Sequence, residues 1–117
     1  MRGFSDRVPI GAVVLRNRIV ATAHGTGLVR DGRALPGDAE YWRRVADGGV
    51  AMAIIGGTAV APESGYRAGN VLDAYREEVV PDLRSRASAI RAGGAVAVQQ
   101  LVHLGRETLG APSWYAL

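Results

Sequence analysis

The sequence predicts an α/β fold built around a parallel sheet, and three observations point to it. Val50-Ala51-Met52-Ala53-Ile54-Ile55 is a continuous apolar run without polar alternation, the pattern of a strand covered on both faces. Two stretches of helical spacing lie on either side of that run, each closed by a Gly-Gly pair, at 48–49 and 93–94. Beyond each helix stands a further short apolar segment, so strands and helices alternate along the chain. No repeat, low-complexity tract or linker divides the 117 residues, and 1–117 therefore reads as one unit.

Each element has its own warrant. Val8 to Leu15 places a glycine between two short apolar pieces, which suits a small hairpin. Arg18 to Ala23 follows as a first parallel strand, short and β-branched. Gly25 through Gly37 reads as a long loop containing the turn signal Asp31-Gly32. Asp38 is expected to cap a helix from Ala39 to about Asp47, with Tyr41, Trp42, Val45 and Ala46 on one face and Glu40, Arg43 and Arg44 pointing away. The second strand, Val50–Ile55, is expected to finish at Gly56-Gly57-Thr58, with a loop from Gly56 to about Leu72. Pro81 belongs in the first turn of a second helix reaching Ala92, whose buried stripe is Leu83, Ala87 and Ile90. Ala95 to Leu101 is the third strand. The result is a hairpin followed by βαβαβ.

Composition excludes several classes of function. Hydrophobic residues make up 48% and charged residues 21%, and no apolar run approaches the roughly 18–20 residues of a membrane span. Met1 to Arg7 has an early positive charge but no apolar core behind it, so a secretory leader is not expected and a cytoplasmic location is. The absence of cysteine excludes disulfides, thiolate metal sites and a cysteine nucleophile. All fourteen basic residues are arginine and the net charge is +3. They are scattered, with Arg43-Arg44 the longest run, and the clustered patch of a nucleic-acid binder is missing. No close-spaced histidine or carboxylate pattern suggests a metal, and Ser113 lacks the flanking elbow of a nucleophile.

Two motifs go further. Leu15-Arg16-Asn17-Arg18-Ile19-Val20 and Gln100-Leu101-Val102-His103-Leu104-Gly105-Arg106 together resemble the entry strand and third-strand signature of the old yellow enzyme family. Its members are FMN-dependent NAD(P)H oxidoreductases, similar in a broader branch to bacterial dienoyl-CoA reductases, and built on a (β/α)8 TIM barrel. Ala111-Pro112-Ser113 matches the family's stretch after strand three, so the resemblance covers nearly the whole chain. A complete barrel takes about 250 residues. The resemblance therefore implies an incomplete barrel, its N-terminal part with the first three strands, the opening hairpin plugging the barrel floor.

In such barrels chemistry sits at the C-terminal ends of the strands, and the three strand ends are expected to face one site. The resemblance implies that Gln100 contacts the isoalloxazine ring, whose edge offers donors and acceptors that one carboxamide can satisfy together. The alternative is a strand-end glutamine bonded to backbone. Gln99 points to the opposite face. Gly57 would let the second strand approach a flat ring closely. Ala23 and His24 stand where many relatives carry a proline and a methionine whose backbone lines the flavin, and Thr26 falls near a position that approaches the reactive flavin nitrogen. His103 and Arg106 are expected to be structural.

No catalytic residue is assigned, because in the family the substrate-binding and phosphate-binding groups come from later strands. The family's chemistry uses NAD(P)H as reductant and an electron-poor alkene or enoyl compound as substrate. Against a contribution to such an oxidoreductase stands a second reading. The chain would then be a non-catalytic remnant, or a subunit that self-associates or needs a completing chain, since three parallel strands leave open edges. A third, an independent small α/β binding domain, requires Trp114 to Leu117 to fold back as a cap.

Overall fold

The structure, a computed structural model, describes residues 3–64 and 71–105. Strands β1 (Val8–Ile10) and β2 (Val13–Leu15) form the expected antiparallel hairpin, turning at Gly11 with φ 57°. The first barrel strand, β3 (Val20–His24), begins two residues later than the sequence suggests. The expected loop from Gly25 to Gly37 contains a second small hairpin, β4 (Val29–Arg30) and β5 (Arg33–Ala34). Asp31 and Gly32 join them with φ of 50° and 75°, the doubly positive turn that matches strand twist.

Helix α1 (Asp38–Asp47) buries Trp42 and Ala46 fully and Tyr41 and Val45 in part, as its periodicity predicts. Asp38 is not its cap. Gly37 takes that position at φ 93°, and Asp38 lies inside the first turn, where its buried carboxylate is held by Arg86. Exposed Glu40–Arg44 and Arg43–Asp47 pairs add about 0.3–0.5 kcal/mol each.

The residues before β3 close the other end of α1. The Arg16 guanidinium donates to the carbonyls of Ala46 at 2.9 Å and Val50 at 2.7 Å. Asn17 Nδ2 donates to Gly49 at 2.8 Å while its Oδ1 accepts the Ile19 N–H at 3.0 Å. Helix ends leave carbonyls without intrahelical partners. The Leu15–Val20 signature thus ties the helix end to the entry of β3, and that use of Arg16 and Asn17 delays the strand's start.

Strand β6 (Met52–Ala59) runs past the expected stop at Gly56–Thr58, because its ladder continues to Ala59 opposite Val102. A single 3-10 turn (Pro62–Ser64) follows it. Strand β7 (Leu72–Asp73) and a second 3-10 turn (Glu77–Val79) lead into α2 (Val80–Ala92), which carries Pro81 in its first turn. Strand β8 (Val96–Val102) ends the described elements.

The main sheet is parallel, with β6 between β3 and β8. β7 pairs with Thr58 and Ala59 on the edge that β3 leaves after Ile55. One face packs against both helices, with Ala53, Ile55 and Ala95 from the sheet meeting Trp42, Ala46 and Ile90. Alanines keep the layers close, and a side chain at Gly93 would collide with Ala46. Alternation sends Met52, Ile54, Val96 and Val98 to the other face. The stripe expected on α2 needs correction: Ile90 is buried and Leu83 and Ala87 are partly so, but Arg86 is 4% exposed. Its charge is taken up by Asp38 on the neighbouring helix.

Candidate functional site

The C-terminal ends of β3, β6 and β8 lie side by side, and each junction carries a bulge. Between Ala21 and His24, β3 has one more residue than the β6 segment Ala53–Ile55. Between Ile55 and Thr58, β6 has one more than the β8 segment Gln99–Leu101. A bulge shifts the in-out alternation by one. His24 and Thr58 therefore remain on the helix side, in line with Ala21 and Ile55.

The His24 ring is fixed there. Its Nδ1 lies 2.8 Å from the Thr22 carbonyl and Nε2 lies 2.7 Å from the Tyr41 hydroxyl. A carbonyl only accepts, so Nδ1 carries a proton, and Nε2 is hydrogen-bonded to the Tyr41 hydroxyl, which can donate or accept. The ring also tilts against Trp42, their centroids 4.9 Å apart. Towards the opposite face His24 offers backbone rather than imidazole. Ala23, in the bulge, is exposed. Backbone contact extends to β6, since a side chain at Gly56 would strike the His24 carbonyl.

Gln100 points away from the helices and is exposed at the end of β8. Gly57 is its neighbour on β6: a Cβ there would sit 3.0 Å from Val102 Cγ1 and 3.7 Å from Gln100 Oε1. Bare backbone and a carboxamide with both donor and acceptor thus share one surface.

Gln99, on the helix side as expected, has a role that the sequence did not signal. Its Nε2 lies 2.8 Å from the Gly56 carbonyl and 2.7 Å from Thr58 Oγ1, spanning the β6 bulge. Its Oε1 is buried without a partner among the described residues. The hint available was a polar residue on an otherwise apolar face, opposite a glycine pair.

Thr26 belongs to a buried polar cluster. Its Oγ1 donates to Asp38 Oδ1 at 2.9 Å and accepts the Leu28 N–H at 3.0 Å. Arg86 grips the same carboxylate with Nε at 2.5 Å and Nη2 at 2.8 Å. The Thr26 proton is thus given inward, and the loop after β3 is anchored to both helices. His24, Gly25, Thr26, Trp42, Gly56 and Arg86 help line a cleft of about 220 Å3 at these strand ends.

A second ion pair holds the β4–β5 hairpin. Arg33 Nε donates to Asp82 at 2.6 Å, and the Ala34 N–H donates at 3.1 Å. The Arg33 hydrogen bond, helped by that of Ala34, holds the Asp82 carboxyl below its ordinary range although burial opposes the shift.

His103 is exposed and accepts the Gly105 N–H at 3.1 Å, a local structural contact. Arg106, Ala111-Pro112-Ser113 and the cap expected from Trp114 to Leu117 lie outside the described residues. Among the described residues no cluster of metal-binding side chains occurs and no helix is long and apolar enough to cross a membrane.

Residues 7–111 match the NADH:flavin oxidoreductase / NADH oxidase family. The chain belongs to that family. It is 41% identical over 96 residues to a probable N-methylproline demethylase of Rhizobium meliloti (strain 1021), covering 82% of this chain and 14% of that protein. It is 31% identical over 94 residues to a multifunctional alkene reductase/demethylase of Caballeronia cordobensis, covering 80% of this chain and 14% of the relative. Among solved structures, a 2-naphthoyl-CoA reductase complex superposes with a TM-score of 0.84 at 24% identity, over 97% of this chain and 17% of the other. The old yellow enzyme homologue from Zymomonas mobilis gives 0.80 at 23% identity, over 96% and 30%.

These flavin oxidoreductases are TIM barrels, and the chain spans only a small N-terminal share of them. Its βαβαβ unit is that part of the barrel and does not close on itself. The family binds FMN and uses NAD(P)H.

Proposed function

We propose that residues 1–117 form one partial barrel domain that supplies one wall of an FMN site in an NAD(P)H-dependent ene-reductase-type oxidoreductase. The observation that carries this reading is the exposed Gln100 carboxamide beside the bare backbone of Gly57, at the strand ends where barrel enzymes keep their chemistry. A flat ring with donors and acceptors along one edge fits that pairing, because a side chain at Gly57 would occupy the space against Val102 and Gln100. Gln100 would hydrogen-bond the ring edge, Gly57 would lie under it, and the Ala23-His24 backbone would border it. Thr26, its proton committed to Asp38, would shape the loop beside the ring. When bound, FMN supplies hydride transfer between NAD(P)H and an acceptor. The relatives' names, alkene reductase and naphthoyl-CoA reductase, point to an electron-poor alkene or enoyl compound as that acceptor.

A second reading has its own observation: β3 and β8 are each paired on one side only among the described residues, and Val20 and Leu101 on them are exposed. On this reading the chain is a non-catalytic remnant, or a subunit that works only with a completing chain.

Titration of the purified chain with FMN, followed by flavin fluorescence, separates them. Saturable quenching by a compact species is the expected result; a folded chain that leaves the fluorescence unchanged favours the second reading.

A further inference from the structure

We propose that Gln99 is a positioning residue that locks the β6 bulge so that Gly57 and Gln100 form a single surface, an inference that rests on the flavin reading above. The bulge is the weak point of that surface. Residues 56–58 carry the extra residue of β6, two of them glycines, which have the most backbone freedom to lose on ordering. Something must hold them in one conformation. Gln99 is placed to do so, since its Nε2 lies 2.8 Å from the carbonyl of the residue before Gly57 and 2.7 Å from the hydroxyl of the residue after it, with the Gln100 carbonyl further off at 3.1 Å.

The orientation of the amide follows from its partners. Turning it over would set Oε1 against the Gly56 carbonyl, two acceptors face to face, so the nitrogen must point to the bulge. Oε1 is consequently left buried without a partner among the described residues. A side chain serving only to fill the core would be apolar here, as Ala97 on the same face of β8 and Ala95 just ahead of that strand are. Gln99 tolerates an unmet acceptor in order to make two donations on either side of Gly57. Because the next residue is Gln100, both glutamines move with one short stretch of β8. The inward amide fixes the β6 backbone and the outward amide meets whatever lies on it.

The test replaces Gln99 by methionine, which keeps the volume and removes both donations, and compares it with Gln99→Ala and Thr58→Val. Two readouts are taken on the full chain. Backbone amide exchange at Gly57 and Thr58 reports the bulge without any ligand, with Ile54 on the same strand as the internal control. FMN affinity and the visible circular dichroism of bound flavin report the surface. The inference expects Gln99→Met to speed exchange at Gly57 and Thr58 at least tenfold while Ile54 stays within twofold. It also expects FMN affinity to fall about tenfold with an altered dichroism, and Thr58→Val to give a smaller change of the same kind. If the original chain binds FMN and Gln99→Met binds it equally well with an unchanged spectrum, the inference is wrong. If the original chain does not bind FMN, the cofactor reading fails and amide exchange alone decides the bulge: selective acceleration upholds the lock and uniform or unchanged exchange overturns it. Should Gln99→Met fail to fold, the same comparisons on Thr58→Val decide it.

Discussion

Gln100 and Gly57 are complementary because one supplies directional hydrogen bonds and the other leaves its backbone uncovered. Gln100→Ala is expected to weaken FMN binding by about 1–3 kcal/mol, the cost of leaving buried polar groups unpaired, and an unchanged dissociation constant in a folded variant would remove Gln100 from the site. Gly56 is constrained differently, by the His24 carbonyl against it. Gly56→Ala is expected to cost about 1–3 kcal/mol in urea unfolding through overpacking. Gly25→Ala, which would place its methyl in open space, should stay within about 0.5 kcal/mol. Equal effects at the two positions would contradict the close backbone approach. The opposite facing of Gln99 and Gln100 was legible in the sequence, since a regular strand alternates. The inward turn of the His24 ring was not, because nothing in Thr22-Ala23 announces a bulge. Gly56-Gly57 reads equally well as a strand end or as a bulge, and the ladder beyond it to Ala59 makes it a bulge.

Apolar periodicity located both helices to within a residue or so at each end, and glycine pairs marked their ends. Buried charge was invisible to the same reasoning. Asp38 ahead of a helical pattern reads as a cap, and its partner Arg86 lies far along the chain, within the Leu83–Ile90 stripe of the second helix, where nothing local says which carboxylate would meet it. Arg86→Ala should cost about 3–5 kcal/mol because it strands a buried carboxylate, whereas the double change Asp38→Leu, Arg86→Met should recover most of that loss. A near-neutral single variant in urea unfolding would contradict the buried pair. The β4–β5 hairpin likewise reads as loop in the sequence, its two-residue strands being too short for a periodic signal; only its Asp31-Gly32 turn is visible there. It docks through Arg33 and Asp82. The folded-state pKa of Asp82 is lowered, so its contribution to stability is fully present above the ordinary aspartate value near about 4 and is lost as pH falls through the folded value. Asp82→Asn should flatten the fall in urea midpoint over that acid range; an identical fall in both proteins would show that the pair does not contribute.

At the scale of the whole molecule, the sheet is covered on its helix face, while among the described residues β3 and β8 each keep an unpaired edge with Ile19, Val20 and Leu101 exposed nearby. Unpaired parallel edges with apolar side chains favour association. The purified chain is expected to show concentration-dependent self-association by size exclusion with light scattering, and a strictly monomeric species across the range would mean that the edges are protected. Family membership and barrel architecture were legible because the Leu15–Val20 and Gln100–Arg106 signatures sit at the two ends of the matched region. The role of the first signature as a clamp on the end of α1 was not, since it depends on carbonyls that the fold brings to Arg16 and Asn17. The central claim is that the ends of β3, β6 and β8 make one flavin-binding wall. Its most direct test is an FMN titration of the isotopically labelled chain followed residue by residue by NMR. Saturable shifts concentrated at Ala23, His24, Gly57 and Gln100 are predicted; no shifts, or shifts scattered over the helix faces, would contradict it.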